Sequence, residues 1–81
     1  MNVMEQTIVW QDFGPFLRKL RQRRGISQEN LALMLGCHRT YIWRLEHGRN
    51  RPSSIFLHNL KLTCHLAPEE IILFALFEQL R

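Results

Sequence analysis

The sequence lacks the features that define several classes of protein. It has only two cysteines, Cys37 and Cys64, which are too few for a disulfide-stapled scaffold. Its longest apolar run, residues 71–77, has seven residues, whereas a membrane-spanning helix needs about twenty. No basic-then-apolar secretion signal begins the chain, so we expect a cytoplasmic protein. A length of 81 residues leaves no room for two hydrophobic cores, which excludes a large enzyme with a lid or second domain.

Acidic residues are scarce in the middle of the chain. Between residues 13 and 51, nine lysines and arginines face only Glu29 and Glu46, a local charge of +7. Residues 1–12 and 52–81 carry −2 and −1. A basic centre between acidic flanks is typical of a surface that attracts a polyanion. A solvated, arginine-rich helix face would give the same charge balance, so charge alone leaves both interpretations open.

Apolar residues recur at helical spacing in five segments, and no strand pattern is present. Asp12 and Ser27 are suited to cap the first two helices, and glycines follow the first three. The predicted helices cover roughly residues 13–24, 28–35, 39–46, 54–65 and 68–81. The sequence therefore predicts an all-α fold, with an N-terminal arm at residues 1–11 and one domain at residues 12–81.

The second and third predicted helices form the most informative segment. They are short and are separated by a turn at Gly36, which is the helix-turn-helix layout. In that layout the first helix crosses the phosphate backbone of DNA and the second lies in the major groove. Apolar residues take the inner positions of the third helix. Arg39, Thr40 and Arg44 are left to reach outward.

The order and spacing of these motifs resemble the Cro/C1-type helix-turn-helix repressors. The matching features are an arginine-rich first helix ending in Gly25, residues 26–32, the turn at residues 35–37, residues 41–42 with 45–48, and a basic loop before Pro52. The resemblance covers roughly residues 13–71 and implies a five-helix, lambda-repressor-like fold. Residues 39–42 and 49–51 are also similar to those of restriction-modification controller proteins.

The resemblance implies a role for individual residues on DNA. Arg39, Thr40 and Arg44 become the predicted base readers, since arginine can bind guanine O6 and N7 with two parallel hydrogen bonds. The residues predicted to contact the DNA backbone are Gln28, Tyr41, Trp43, Arg49, Asn50 and Arg51. For Trp43, packing on the backbone, stacking under Arg44 and folding back over the core stay open. Glu46 is expected to orient a neighbouring basic side chain.

Two Cys-His pairs, Cys37-His38 and Cys64-His65, raise the question of a Cys2His2 zinc site. Adjacent residues on a helix point about 100° apart and rarely reach one metal together. We therefore expect both cysteines to act as small apolar residues and the protein to need no metal or other cofactor. No acidic orienter or oxyanion loop accompanies them, so we expect no enzyme activity.

Apolar residues surround the whole fifth helix, although a surface helix needs an apolar stripe on one side only. A central place in the core would explain this pattern. We favour a symmetric dimer in which this helix meets its copy through Ile72, Leu73, Leu76, Phe77 and Leu80. Two recognition helices about 34 Å apart could then read successive major grooves of one duplex.

These patterns together predict a regulator of transcription that binds double-stranded DNA as a homodimer. It would occupy an operator and either block or recruit RNA polymerase, without contact with a membrane. The alternative is a protein-interaction module, such as an antitoxin, whose C-terminal helix binds a partner protein. A monomer that exposes the fifth helix would favour that alternative.

Overall fold

The computed structural model describes residues 8–80, which form a bundle of five α-helices. A single 3₁₀ turn, Trp10–Asp12, precedes them. The helices are α1 Phe13–Arg23, α2 Gln28–Leu35, α3 Arg39–Glu46, α4 Ser54–Thr63 and α5 Pro68–Glu78. No strand occurs within the described range, and the all-α, five-helix prediction is confirmed. Most of the predicted arm, residues 1–7, lies outside the described residues, as does Arg81.

Serine hydroxyls cap the starts of two helices, and a glycine marks the end of one. The Ser27 hydroxyl accepts a hydrogen bond from the Asn30 backbone N–H at 3.0 Å, which caps α2. Ser53 caps α4 in the same way, accepting from the Phe56 N–H at 3.1 Å. Gly36 ends α2 with a φ of 70°, a left-handed conformation that glycine adopts without steric cost.

The prediction that Asp12 caps α1 is wrong. Its backbone is already helical, and its side chain makes no cap hydrogen bond to α1. The Asp12 carboxylate instead accepts from the Val9 backbone N–H at 3.0 Å. The chain turns once before α1 begins, so this carboxylate stabilises the preceding turn.

The core is built from inner residues of all five helices. Three phenylalanine rings meet at its centre, with Phe56 and Phe77 each edge-on to Phe13 at centroid separations of 6.2 and 5.3 Å. Cys64 is buried in the same cluster. The side chains excluded most fully from water are Phe13, Leu17, Leu20, Leu31, Ile42, Leu45, Leu60 and Phe74.

The structure corrects one residue of the predicted dimer face. Phe77 is only 5% exposed and packs against Phe13 within its own domain, so it is not available to a second copy. Leu80 is half-buried against the same core. Ile72, Leu73 and Leu76 remain outward, 66%, 43% and 42% exposed. The apolar circumference of α5 is therefore shared between the core and an uncovered face.

Helix α1 crosses α3 with its backbone in direct contact. A Cβ atom on Gly14 would lie 2.6 Å from the Glu46 carbonyl oxygen and 2.7 Å from that of Leu45. Only glycine allows this approach, which fixes where α3 sits on the domain.

None of the helices within residues 8–80 is long and apolar enough to cross a bilayer.

Candidate nucleic-acid interface

Helix α3 has a buried side and an open side. Ile42 and Leu45 are almost completely excluded from water. Arg39, Thr40 and Arg44, the predicted base readers, are all exposed. The apolar spacing of α3 therefore places the three side chains together on the surface, as the sequence predicted.

The first turn of α3 is capped by a histidine. The Nδ1 atom of His38 accepts a hydrogen bond from the Thr40 backbone N–H at 3.0 Å. Acceptance requires that this nitrogen carries no proton, so the opposite ring nitrogen holds the proton in the neutral imidazole. The cap fixes the start of the helix at Arg39, directly beside two of the predicted base readers.

Glu46 lies buried at the end of α3 and joins it to α1 and α2. Its carboxylate accepts from Arg21 Nε at 2.8 Å and Nη2 at 3.0 Å, and from Gln28 Nε2 at 3.0 Å. Arg18 approaches the same carboxylate at 3.6 Å. The expectation that Glu46 orients a basic residue is confirmed, and it also holds the predicted backbone contact Gln28.

The charge state of Glu46 follows from these partners. Burial acts to raise the pKa of this carboxyl, but the hydrogen bonds from Arg21 and Gln28 outweigh it and leave the pKa lowered. The same contact raises the pKa of the Arg21 guanidinium. Both groups therefore stay charged at neutral pH, and the pair fixes the orientation of α3 against α1.

Tyr41 connects α3 to the start of α4. Its hydroxyl oxygen accepts from the Ser53 backbone N–H at 3.2 Å, and its ring lies edge-on to Phe56 at 5.3 Å. The side chain is half-buried. The phenolic proton is not used in the Ser53 contact, so the hydroxyl keeps a donor.

Trp43 takes a position that the sequence left open. Its ring stacks on His47 with centroids 3.9 Å apart and planes inclined by 19°, and the Arg49 guanidinium lies 5.9 Å from its centroid. At 39% exposure it does not fold back over the core, and its cationic neighbour is Arg49 rather than Arg44. His47 was not singled out from the sequence, although its spacing of four from Trp43 puts both rings on one side of α3.

The basic loop after α3 turns back along that helix. Gly48 has a φ of 68°, and its N–H donates to the Leu45 carbonyl at 3.2 Å. The Arg49 N–H donates to the Arg44 carbonyl at 2.8 Å. These two bonds form a Schellman motif, which needs a left-handed residue at the glycine position.

Two side chains of the loop are held by contacts on either side. Asn50 accepts from Arg44 Nε at 3.1 Å, so a predicted backbone contact touches a predicted base reader. The Arg51 guanidinium lies 5.7 Å from the centroid of the Trp10 ring. The loop is thereby supported by α3 and by the turn before α1.

The basic centre of the sequence separates into two groups of arginines in the structure. Arg18, Arg21, Arg23 and Arg24 on and beside α1 lie within 4.0 Å of the carboxylates of Glu46, Glu69 or Glu70. A second group has no carboxylate at that distance within residues 8–80, and it comprises Arg39, Arg44, Arg49 and Arg51. The second group is exposed, so most of the unpaired positive charge lies on α3 and its loop. Lys19 on α1 is the other basic residue of this region without a carboxylate within 4.0 Å among residues 8–80.

The cysteines lie in apolar surroundings. Cys64 is buried and Cys37 half-buried, and both are free thiols. Burial raises the pKa of both, which keeps them protonated at neutral pH. In the part of the chain that the structure describes, no three His, Cys, Asp or Glu side chains come together in a group that could hold a metal ion.

Comparisons with known proteins agree with this geometry. A family model described as a helix-turn-helix domain matches residues 12–71. Among solved structures, the chain is similar to the crystal structure of the restriction-modification controller protein C.AhdI from Aeromonas hydrophila, with 34% sequence identity and a TM-score of 0.67. That match covers 76% of this chain and 94% of the controller. No curated protein matches the chain. The chain therefore belongs to the helix-turn-helix domain family and is a DNA-binding transcription regulator of the Cro/C1 type.

Proposed function

We propose that the protein binds an operator as a homodimer, with α3 of each subunit in the major groove. The observation that carries this proposal is the location of the unpaired arginines. Arg39 and Arg44 are exposed on α3, whereas the arginines of α1 are paired with carboxylates. Positive charge that no carboxylate of the domain neutralises is available to phosphate and to guanine.

Within this proposal the outward residues of α3 and its neighbours divide into two roles. Arg39, Thr40 and Arg44 read base edges, since they share the open side of α3. The residues that contact the DNA backbone are Gln28, Tyr41, Trp43, Arg49 and Arg51, whereas Asn50, predicted from the sequence as a backbone contact, is bound to Arg44. Gln28 supports this division because it stands in the first turn of α2, where backbone N–H groups also favour a phosphate. The free phenolic proton of Tyr41 and the exposed indole of Trp43 are suited to the same backbone.

The dimer would form through the uncovered face of α5. Ile72, Leu73 and Leu76 expose apolar side chains on α5 that a second copy could cover. Leu80 lies two residues beyond the end of α5, half-buried against the core. A two-fold axis at this face brings two recognition helices to one duplex, so that two weak half-site contacts act together.

The likeness to C.AhdI supports a narrower role. That protein is a restriction-modification controller, and the similarity extends over most of both chains. We propose that this chain is likewise a restriction-modification controller, and that it acts at its operator by blocking RNA polymerase or recruiting it. Action through binding, without catalysis, would be sufficient for this role.

Selection from random duplex DNA tests the proposal. At about 150 mM salt, sequence-independent binding to phosphates is weakened, so enrichment reports base recognition. We expect an inverted repeat whose half-sites lie about one helical turn apart. Enrichment of no sequence would contradict the proposal and favour a protein-interaction module.

Alanine variants test the division of roles on the selected operator. Arg39→Ala and Arg44→Ala should each cost roughly 1 to 3 kcal/mol of binding free energy and relax the base preference. Arg51→Ala should weaken binding to operator and random DNA alike and reduce the salt dependence. Lys61→Ala is a matched control, because Lys61 lies on α4 and pairs with Glu78 at 3.6 Å. Equal losses on operator and random DNA for all three arginines would contradict the division.

The exposed face of α5 also supports a second candidate function. An apolar face of this kind could be covered by a different protein, as in an antitoxin. Sedimentation velocity of the purified protein separates the two candidates. A homodimer favours the operator-binding regulator, and a monomer favours the interaction module.

A further inference from the structure

We infer that Asn50 is a positioning residue that holds Arg44 for base reading. The inference rests on the proposed function, in which Arg44 contacts a base. The observation behind this inference is the hydrogen bond that Arg44 Nε donates to Asn50 Oδ1 at 3.1 Å. Arg44 is exposed and Asn50 is half-buried, so the shorter and more buried side chain anchors the longer one.

The backbone brings Asn50 to this position. The left-handed Gly48 reverses the chain, and the Arg49 N–H bonds to the carbonyl of Arg44 itself at 2.8 Å. Arg44 is consequently held to the loop twice, once through its carbonyl and once through its side chain. The contact to Asn50 follows from the turn that ends α3 and is not an isolated surface hydrogen bond.

The atom that Asn50 engages matters for recognition. A guanidinium carries five N–H donors, and Nε supplies only one of them. With Nε bound to Asn50, the two terminal nitrogens keep the fork that matches guanine O6 and N7. A long side chain restrained before binding loses less rotamer freedom when it reaches the base.

Arg39 offers an internal comparison. It is exposed on the same side of α3 but makes no side-chain hydrogen bond to any residue from 8 to 80. The two proposed arginine readers are therefore restrained to different degrees. Removal of Asn50 should affect the base read by Arg44 and leave the base read by Arg39 unchanged.

A double-mutant cycle on the operator selected by the wild-type protein tests the inference. The cycle compares the wild type, Asn50→Ala, Arg44→Ala and the double variant, each on the operator and on random duplex of equal length. We expect Asn50→Ala to lower operator affinity by roughly three- to tenfold and to relax the preference at the base that Arg44 reads. In the Arg44→Ala background the same change should cost nothing further, because its partner is gone.

The conservative variant Asn50→Asp separates positioning from direct contact with DNA. An aspartate oxygen still accepts from Arg44 Nε, so the base preference should be retained. The added negative charge should lower affinity for every duplex equally. Matching thermal unfolding midpoints for the variants would show that a change in base preference does not come from a damaged fold.

Other outcomes would overturn the inference. Equal losses for Asn50→Ala on operator and random DNA, additive with those of Arg44→Ala, would make Asn50 a direct backbone contact. The inference is also overturned if Asn50→Ala leaves the preference for the base that Arg44 reads unchanged. If the wild type selects no sequence at all, the proposed function itself fails, and that result is seen before any variant is compared.

Discussion

Glu46 shows how a single buried side chain can fix the position of a functional helix. A carboxylate removed from water is costly unless it is paired and hydrogen-bonded. Here Arg21 binds both oxygens, at 2.8 and 3.0 Å, and Gln28 adds a third hydrogen bond at 3.0 Å. Because Glu46 is the last residue of α3, these bonds hold the exposed face of α3 relative to α1 and α2.

We expect Glu46→Gln to lower the free energy of unfolding by about 3 kcal/mol, since it leaves the guanidinium of Arg21 without its carboxylate in a largely buried place. Urea denaturation at neutral pH measures this loss. Glu29→Gln is the control, because Glu29 is exposed in the first turn of α2, and its loss should stay below about 1 kcal/mol. Similar losses for the two variants would show that the buried pair adds nothing specific.

The sequence predicts the role of a side chain well where its partners are close in the sequence. The cap at Ser27 and the outward side chains of α3 depend on neighbours a few positions away, and they are found as predicted. The arginines of α1 are different. Their carboxylate partners are 25 to 47 residues distant along the chain. From charge counts alone these arginines would be placed on the polyanion-binding surface, although in the structure they pair with glutamates of the same domain. The close approach at Gly14 was missed for the same reason.

Where α1 crosses α3, packing decides whether Gly14→Ala stabilises or destabilises the domain. In an open helix, Gly→Ala is favourable by about 1 kcal/mol because alanine has the higher helix propensity. At Gly14 the added carbon would lie 2.6 Å from the Glu46 carbonyl oxygen, and backbone atoms cannot move aside cheaply. Gly14→Ala should therefore destabilise the domain by roughly 1 to 3 kcal/mol in urea denaturation.

Gly25→Ala is the control for that variant. Gly25 has open space around it but a φ of 63°, so its replacement should cost only the strain of the left-handed conformation, about 1 to 2 kcal/mol. The two variants should also differ in their effect on the position of α3. Only Gly14→Ala should shift the amide NMR signals of α3, and unchanged stability in Gly14→Ala would show that the helices separate freely.

A second ionic contact secures the start of α5 to the end of α1. Glu70 accepts from Arg24 Nη2 at 2.8 Å and Nη1 at 3.1 Å, and from the Ala67 backbone N–H at 2.9 Å. The Arg24 hydrogen bonds lower the pKa of Glu70 to about 2. Arg23 lies 3.4 Å from the same carboxylate and adds to the effect.

This contact predicts a dependence of stability on pH. The pKa of Glu70 is about 2 in the folded protein and near 4.5 in the unfolded chain, so its stabilisation is complete above about pH 5 and is lost as pH falls towards 2. At neutral pH it amounts to roughly 3 kcal/mol. Glu70→Gln should lose this amount at pH 7, and the gap to wild type should narrow by about half between pH 5 and pH 3. A constant gap across that range would contradict the shifted pKa.

At the scale of elements, the sequence predicts the number and type of helices and most of their ends. The apolar residues of α1 and α3 leave a polar side, so their orientation follows from the pattern. The pattern of α5 has no polar side between residues 71 and 77, and periodicity could not separate the core residue Phe77 from the exposed Ile72. That assignment depends on where α1 lies, which is a tertiary fact.

At the scale of the whole molecule, the domain separates two surfaces. The unpaired arginines lie on α3 and the loop that follows it, and an exposed apolar face, the proposed dimer contact, lies on α5. The charged surface suits a polyanion, and the apolar face suits a protein surface. This separation would let one copy contact DNA and a second copy at the same time.

The proposed dimer gives a prediction that depends on this separation. Ile72→Glu should leave the folded domain intact, because Ile72 is 66% exposed and contributes little to the core. If α5 forms the interface, the buried charge should shift the protein to monomers and remove high-affinity binding to the operator. Sedimentation velocity over a range of concentrations and an operator titration measure the two effects.

Ile55→Glu is the matched control for Ile72→Glu, because Ile55 is 64% exposed on α4 and should leave association unchanged. Loss of the dimer in Ile55→Glu instead would place the interface on α4. A wild-type protein that is monomeric at every concentration, yet binds the operator with unchanged affinity on dilution, would contradict the dimer altogether. That result would favour the protein-interaction module, in which a different protein covers the exposed face of α5.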